Sequence, residues 1–523
     1  MKFAALLLTA AVCAAQTESP GSISGVVRDA ASGAPVSNCK LKVETADHHT
    51  LQVPVDALGQ YTLAGLAAGN FTISAASPVP GQSHASETSR KVKLETGQQL
   101  RSIDLRLPST GAITGRVLDE NDQPISGAQV FRVDEQYYHG ALRRWLGNGG
   151  VTNDRGEYSL TGIPAATAFL VETRNRSILV KGEGDTPANT FYPSASSVES
   201  AAEIILNPGE TRAGVDIHRL KLPSYCISGL VEGAGADAVK LSVRDLAATD
   251  TSSASGDIAE VEMDGTFRVC GLHPGRYRLT LTKASPGNSQ QHYSAAAQVT
   301  LVDRDAPDVT LLQNLPSPLT ANYVWDGDSS GHLPKVSGTL SMESPSGGIM
   351  MGFWVPGNFS ASFPLAPDNY FINVSDIREP GVYVKEMSCG GRDILHGLAP
   401  LGGSLSCGSL RLVLARDGGS LTARVVDDLG NAVSDAYVAI VPQSAATAAG
   451  MSEVMTSGQT DINGAFSAGR LAPGKYRAFA TYERLDLSAN RIAWLWAAQS
   501  RAQEVEIAPN GSAQITVRLQ PLH

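Results

Sequence analysis

Two short motifs in this sequence contain residue types that could carry out hydrolysis. Residues His84–Glu87 have the H-x-x-E spacing of zinc ligands, and Gly327–Gly331 have the G-x-S-x-G spacing of a nucleophilic serine. A peptidase that uses this zinc motif needs a large α/β domain around it. The serine motif needs a strand before it and a helix after it. The first motif lies in a polar loop, and the second lies in a Gly/Ser/Asp-rich linker that leads to Pro334. We interpret both as chance matches.

Two further groups of residues could bind a cation. His48 and His49 are adjacent, and adjacent side chains of a strand point to opposite faces, which favours a solvated surface pair. Asp461, Asn463 and Gly464 resemble the start of a calcium loop. That loop needs Gly at its sixth position and a bidentate Glu at its twelfth, and neither fits here. The residues are those of a β-turn, so we expect no metal and no cofactor.

One aromatic pair could bind a saccharide. Trp494 and Trp496 are two residues apart, which places both rings on one face if the segment is extended, and Arg491 is close by. Exposed rings stack on the apolar faces of sugars, and a polar neighbour can meet the hydroxyl groups. The alternative is that both rings cover the edge of a core, as large aromatic side chains usually do. We favour this alternative and keep the three residues as the candidate saccharide contact.

The composition is that of a turn-rich globular protein. The chain has 523 residues, of which 42% are hydrophobic and 18% charged, with 52 Gly and 28 Pro. This length suits several domains of about 100 residues each. The net charge of −10 makes nucleic acid an unsuitable partner, because phosphate binding needs clustered Lys and Arg.

The N-terminus has the pattern of a secretory signal peptide. Lys2 is followed by the apolar run Phe3–Val12 and by small residues, so cleavage is expected near Ala15. Acylation of Cys13 is the alternative, but Val12 is a poor fit to the small residue preferred there. No other run approaches the ~20 apolar residues of a membrane span. We expect an exported protein that is periplasmic, on the outer surface or extracellular, with no transmembrane segment in the mature chain.

A β-strand pattern recurs along the chain. In the stretch Gly111–Phe169, short apolar runs alternate with polar residues and end at Gly, Asn, Asp or Pro, which is typical of half-buried strands. The stretch also contains an excursion with Tyr137, Tyr138 and Trp145, which is a weaker candidate aromatic site. Comparable starts occur near positions 25, 229, 338 and 423. The pattern predicts an array of one kind of domain, with helix confined to the signal peptide and short turns.

Pairs of glycines ten residues apart mark the turns within these copies. They are Gly59 and Gly69 in the first copy, and Gly265 with Gly275 and Gly464 with Gly474 in later ones. In the two later copies the second glycine follows proline, a sequence that predicts a type II turn. The tyrosine two residues later should begin a strand and point inward. We place five domains at residues 20–108, 109–222, 223–318, 319–418 and 419–523, behind a signal peptide at 1–15.

These copies resemble the carboxypeptidase regulatory-like domain. The resemblance is carried by G-x-V-x-D, P-I-S-G-A-x-V, T-N-D-R-G-E-Y and L-x-P-G-x-Y, which are clear in copies one, two, three and five and weak in copy four. It implies seven-stranded, prealbumin-like β-sandwiches with a carbohydrate-binding-like fold, and thus an all-β tandem array. The arrangement also resembles exported multi-copy bacterial proteins with this domain. The resemblance implies nothing about catalysis.

The cysteines allow two bonds within domains. Cys226 and Cys270 lie in one copy, and Cys389 and Cys407 in another, so two intradomain disulfides are the simplest arrangement in an exported protein. Cys39 occupies a slot that holds alanine in other copies and is expected to stay free as a small, buried residue.

The sequence favours a non-enzymatic function. We expect an exported modular protein that acts as a spacer, scaffold or binding array at the cell envelope, with a saccharide or an envelope protein as partner. The alternative is a carbohydrate-binding protein with a surface aromatic site. A peptidase or hydrolase accessory protein is a weaker alternative.

Overall fold

The computed structural model describes residues 20–30, 33–37, 39–45, 47, 49–76, 87–165, 167–175, 184–232, 239–246, 257–284, 291–312, 317–327, 338–343, 349–354, 359–363, 368–377, 379–401 and 407–520. The predicted signal peptide lies outside them. The chain divides into two compact units, Met1–Ser109 and Thr110–His523.

The strands of the described residues group into five β-sandwiches. Sandwich 1 contains β1 (Gly21–Asp29), β2 (Lys40–Thr45), β3 (Thr50–Val53), β4 (Gln60–Leu66), β5 (Gly69–Ala76), β6 (Glu87–Leu94), β7 (Gln99–Leu100) and β8 (Leu105–Leu107). Sandwich 2 contains β9 (Thr110–Leu118), β10 (Gln129–Tyr138), β11 (Ala141–Val151), β12 (Glu157–Pro164), β13 (Leu170–Arg174), β14 (Asp185–Pro187), β15 (Thr190–Phe191), β16 (Thr211–Arg212), β17 (Ile217–His218) and β18 (Lys221–Pro223). Sandwich 3 contains β19 (Tyr225–Glu232), β20 (Val239–Asp245), β21 (Asp257–Ala259), β22 (Thr266–Leu272), β23 (Gly275–Ala284), β24 (Gln291–Leu301) and β25 (Ala306–Leu312).

The two remaining sandwiches are built in the same way. Sandwich 4 contains β26 (Ser317–Trp325), β27 (Gly338–Glu343), β28 (Ile349–Trp354), β29 (Phe359–Phe363), β30 (Asp368–Ser375), β31 (Tyr383–Cys389), β32 (Arg392–Asp393), β33 (Leu398–Leu401) and β34 (Ser409–Ala415). Sandwich 5 contains β35 (Gly419–Val426), β36 (Tyr437–Pro442), β37 (Thr456–Gln459), β38 (Ala465–Leu471), β39 (Gly474–Thr481), β40 (Gln503–Ile507) and β41 (Ser512–Arg518), together with helices α1 (Ala448–Val454) and α2 (Ala489–Ala497). The all-β prediction is confirmed.

The five sandwiches share one basic strand pattern, to which sandwich 4 adds β31 and β32 and sandwich 2 adds the pair β14 and β18. The first strand of each pairs antiparallel with a middle strand and parallel with the closing strand or strands, as β35 does with β38 and β41. The other sheet has four strands in an order such as β37-β36-β39-β40. Alternating side chains from the two inner faces fill one apolar core per sandwich.

Glycine occurs in the first strands of sandwiches 1 to 3 where the closing segment of the chain comes very close. A Cβ atom on Gly115 would lie 2.0 Å from the carbonyl oxygen of Val215, and Gly25 and Gly229 would meet carbonyl oxygens at 2.0 and 1.8 Å. The Val215 carbonyl also accepts a hydrogen bond from the hydroxyl of Tyr158 at 2.6 Å. The recurring glycine is therefore required by the close approach of two backbones.

The start predicted for copy four is wrong. The first strand of sandwich 4 is β26, which pairs in parallel with β34, whereas Gly338 begins the second strand, β27. The first strand was not recognised in the sequence because β26 has no glycine like that of the other first strands. It has the buried Ala321, which pairs with Leu410.

The type II turns predicted at the second glycines are also wrong. Gly474 has φ of 153°, far from the value near +80° that such a turn needs, and Gly275 and Gly474 each begin a strand. In sandwich 5 the carbonyl of Ala472, which a turn would pair with a backbone N–H, accepts the hydroxyl of Tyr476 at 2.6 Å. Tyr476 and Tyr277 are buried, so the inward tyrosine is confirmed.

Helix is not confined to short turns. Sandwich 5 carries α1 and α2, both packed against the outer face of its four-stranded sheet. Residues Ala439, Val441 and Phe479 on that face alternate with core residues, so the sheet is apolar on both sides. The two helices shield the outer apolar face from water.

Candidate functional site

The hairpin of β10 and β11, called here the long hairpin, extends beyond its own sheet. Only Gln129–Val133 of β10 pairs with β13, while β10 and β11 stay paired as far as Tyr138 and Ala141. Its tip is the two-residue turn His139-Gly140, with φ of 50° and 66°, as in a type I′ turn. The outer half of β10 therefore has a strand edge that needs partners from elsewhere.

That edge pairs with sandwich 5. The N–H of Tyr137 donates to the carbonyl of Leu487 at 2.7 Å, and Gln136 forms an antiparallel bridge with Ser488, the residue before α2. The backbone of Leu487 and Ser488 in sandwich 5 thus pairs with the free edge of the hairpin.

The side chain of Tyr137 packs into the apolar cluster beneath the two helices. The buried members of this cluster are Ala439, Val441, Met451, Phe479, Leu485, Ile492, Leu495 and Ala498. Hydrogen bonding and apolar packing therefore act together where sandwich 2 meets sandwich 5.

The tip of the long hairpin meets sandwich 4. The Tyr138 hydroxyl donates to a carboxylate oxygen of Glu343 at 2.5 Å, and His139 Nε2 lies 3.3 Å from the same oxygen. The His139 ring stacks on Phe371, with centroids 4.2 Å apart and an interplanar angle of 17°. Its other nitrogen lies 3.9 Å from the carboxylate of Glu453 in α1. Side chains of three sandwiches therefore converge on one histidine.

The surroundings of the hairpin tip keep Tyr138 protonated and Glu343 ionised. Burial, together with the Glu343 carboxylate, raises the pKa of Tyr138 to about 12. Burial acts to raise the pKa of Glu343, but the hydrogen bonds from His139 and Tyr138 outweigh it, so the pKa of that carboxyl is lowered. At neutral pH a neutral phenol donates to an ionised carboxylate, which is a charge-assisted hydrogen bond.

Consecutive sandwiches within Thr110–His523 are also joined by polar contacts. Arg278 of sandwich 3 and Asp368 of sandwich 4 form an ion pair at 2.9 Å, with side chains only 6% and 10% exposed. Thr186 of sandwich 2 hydrogen-bonds His273 of sandwich 3 at 2.9 Å. Separating sandwiches 3 and 4 would break the buried ion pair, and losing a partner of such a pair is strongly destabilising. These contacts therefore restrict movement between the sandwiches.

Sandwiches 4 and 5 are joined through their linker and loops. The N–H of Asn510 donates to the carbonyl of Asp417 at 2.7 Å, and the Asp417 carboxylate accepts the hydroxyl of Tyr383 at 3.2 Å. The Arg470 guanidinium donates to the carbonyl of Ile377. With the long hairpin, these contacts make sandwiches 2 to 5 one connected body.

The segment that carries Trp494 and Trp496 is the helix α2 and not an extended strand. Residues two apart in a helix point about 200° apart, so Trp494 and Trp496 do not share a face. Trp494 packs on Phe479, with ring centroids 6.4 Å apart, and both tryptophans lie against the apolar cluster. Arg491 forms an ion pair with Glu483 at 2.6 Å. Saccharide binding by these residues stays a prediction.

The structure contains both expected cysteine pairs. Cys226 is bonded to Cys270 and Cys389 to Cys407, with Cα atoms 4.0 and 5.6 Å apart. Cys39 is free and half-buried, and burial raises the pKa of its thiol.

Of the remaining sequence motifs, one is a β-turn and the others lie partly outside the described residues. The Asp461 carboxylate accepts the N–H groups of Asn463 and Ala465 at 2.8 and 2.9 Å, which confirms the β-turn. Residues 84–86, 48 and 328–331 lie outside the described residues. In the described part of the chain, no three His, Cys, Asp or Glu side chains are grouped to hold a metal. No described helix has the length and apolarity needed to cross a membrane.

Sequence reasoning missed the junction at the long hairpin. It identified Tyr137, Tyr138 and Trp145 only as an aromatic excursion, although two of these side chains join sandwiches. The available signal was length, since β10 and β11 have 10 and 11 residues where β2 and β3 have 6 and 4.

Comparison with known proteins gives one family match. Residues 22–108 match the carboxypeptidase regulatory-like domain. No curated protein matches the sequence significantly.

Solved structures give a distant similarity. The TIE protein of Bacillus anthracis is 12% identical, with 72% of this chain and 65% of that chain covered and a TM-score of 0.15. A streptococcal ancillary pilin is 12% identical, with coverages of 56% and 99% and a TM-score of 0.20. The major pilin subunit BcpA of Bacillus cereus is 9% identical, with coverages of 95% and 99% and a TM-score of 0.15. Residues 22–108, which form the first sandwich, are thus similar to the carboxypeptidase regulatory-like domain.

Proposed function

We propose that this chain is an exported, non-enzymatic scaffold of the cell envelope in which sandwiches 2 to 5 act as one stiff body. The observation that carries the proposal is the long hairpin, which binds sandwich 5 through its edge and sandwich 4 through its tip. A string of domains joined only by linkers would change its shape freely. A hairpin that contacts two later domains prevents this.

The chemistry of the junction supports a role in holding the sandwiches together. Tyr138, His139 and Glu343 meet at the junction, and they bind one another across two sandwiches. A phenol that donates to an ionised carboxylate of another sandwich is a charge-assisted contact, which stabilises an interface.

Calorimetry of the full mature chain tests the proposal. We expect sandwiches 2, 4 and 5 to unfold in one coupled transition. Replacing Glu135–Arg144 by an Asn-Gly turn should split that transition, because the hairpin then ends before both contacts. Leu142→Ala is the matched control, since this side chain on the same hairpin is 43% exposed, and it should leave the scan unchanged. Identical scans for the shortened and native hairpins would contradict the proposal.

Export is tested separately. N-terminal sequencing of protein recovered from outside the cytoplasm should show a mature chain that begins near Gln16. Protein that keeps Met1 and stays in the cytoplasm would refute export while leaving the stiff body untouched.

A further inference from the structure

The disulfide of sandwich 3 differs from that of sandwich 4 in its surroundings. Cys226 in β19 and Cys270 in β22 lie on neighbouring strands of one sheet, and both are half-buried and outside the apolar core of sandwich 3. Cys389, in contrast, is 3% exposed within the core of sandwich 4, and Cys407 packs against that core. A small reagent can therefore reach the first bond more readily than the second.

A guanidinium group lies beside both sulfur atoms of the exposed bond. Arg268 Nε is 3.3 Å from the Cys270 sulfur, and an Arg268 terminal nitrogen is 3.4 Å from the Cys226 sulfur. The Arg268 side chain is 66% exposed, and Asp305 orients it from 3.7 Å while accepting the N–H of Cys226 at 2.9 Å. A fixed positive charge near a cysteine stabilises its thiolate, and a more stable thiolate leaves a disulfide faster.

We propose that the Cys226–Cys270 disulfide is a site of thiol–disulfide exchange with small thiols. A thiolate of the small molecule attacks one sulfur and forms a mixed disulfide, while the Cys226–Cys270 bond breaks. The electron pair of that bond goes to the other cysteine, whose thiolate is left beside Arg268. A second small thiolate attacks the mixed disulfide, so one small disulfide is released and both protein sulfurs are reduced. Two small thiols supply the two electrons.

The sheet is built to survive this exchange. Strand β19 is hydrogen-bonded to β22 on one side and to β25 on the other, independently of the sulfur bridge. Opening the bridge therefore changes the chemistry of the surface without removing the strands from the core.

Differential alkylation of the full chain tests the proposal. The protein is exposed to reduced glutathione for increasing times, quenched with an alkylating agent and analysed by peptide mass spectrometry. Cys226 and Cys270 should become modified well before Cys389 and Cys407. Equal rates for the two bonds would overturn the proposal.

Substitution of the arginine tests the mechanism. Arg268→Gln should slow exchange at this bond by roughly three- to tenfold, because the leaving thiolate loses its positive neighbour. Arg276→Gln, an exposed arginine of the same sandwich, is the charge-matched control. A thermal midpoint equal to that of the native chain shows that each variant is folded. If Arg268→Gln exchanges as fast as the native chain, the role of the guanidinium is refuted.

Discussion

Replacing Tyr138 by phenylalanine removes one hydroxyl group from the tip of the long hairpin and leaves the ring in place. The lost contact is a 2.5 Å hydrogen bond to Glu343, whose side chain is only 16% exposed. Hydrogen bonds to charged groups contribute about 1.5–3 kcal/mol. His139 still faces the same carboxylate oxygen, so we expect a loss near the lower end, about 1.5 kcal/mol.

The amide of Tyr137 provides the assay. Its N–H is bonded to Leu487 of sandwich 5, so it can exchange with solvent only when the hairpin leaves its partner. Hydrogen exchange of this amide in the full chain should be about tenfold faster in Tyr138→Phe, since 1.4 kcal/mol corresponds to a factor of ten.

A double-mutant cycle with Glu343→Gln provides the control. In that background, Tyr138→Phe should have a much smaller effect on the Tyr137 amide, because the charged acceptor is already absent. The reasoning is refuted if exchange is unchanged in Tyr138→Phe, or if the two substitutions are simply additive.

Three further predictions concern the cores and the junction. Combining Trp494→Ala with Trp496→Ala should lower the thermal midpoint and cost about 3 kcal/mol, as large-to-small changes at packed rings do; an unchanged midpoint with loss of saccharide binding would favour a surface site instead. Because the folded-state pKa of Glu343 is lowered, its stabilising contribution is complete above the unfolded value of about 4.3 and is lost as pH falls through the folded value. Hydrogen exchange at the junction, corrected for intrinsic rates, should therefore accelerate below about pH 4 in the native chain but not in Glu343→Gln. Gly115→Ala should destabilise sandwich 2 by several kcal/mol in thermal unfolding, since its Cβ would lie 2.0 Å from the Val215 carbonyl oxygen; a midpoint equal to that of the native chain would show that the two strands can separate without cost.

Local patterns predicted the repeated sandwich well. The strand β4 alternates exposed and buried side chains, with Tyr61 and Leu63 inward, and this period of two is visible in the sequence. The inward tyrosines followed from the same pattern. The predicted type II turns are absent. In sandwich 5 the hydroxyl of Tyr476 donates to the carbonyl of Ala472, which would accept a backbone N–H in such a turn.

The segment around α2 contains two spacings of apolar residues, one typical of a strand and one typical of a helix. The two tryptophans at i and i+2 would share a face only in an extended segment. Ile492, Leu495 and Ala498, at i, i+3 and i+6, have the helical spacing that the structure buries. The apolar period of the smaller residues was the better guide.

The junction could not be predicted from local patterns. Pairing between Gln136 and Ser488 joins segments that are far apart in the sequence, and neither segment carries a local signal that specifies the other. The length of β10 and β11 indicated an excursion but not its partner. Such a contact depends on how whole sandwiches are arranged.

A cysteine cross-link between the long hairpin and sandwich 5 tests the central claim most directly. Paired residues of antiparallel strands have Cα atoms about 4.5–5.5 Å apart, within the range of a disulfide. In the full chain with Cys39→Ala, the pair Gln136→Cys and Ser488→Cys should therefore form a bond that peptide mapping detects. The control pair Glu135→Cys and Ser488→Cys should not, because neighbouring side chains of a strand point to opposite faces. Failure of the first pair to cross-link, or equal cross-linking in the control, would contradict the claim that the hairpin holds sandwich 5 in place.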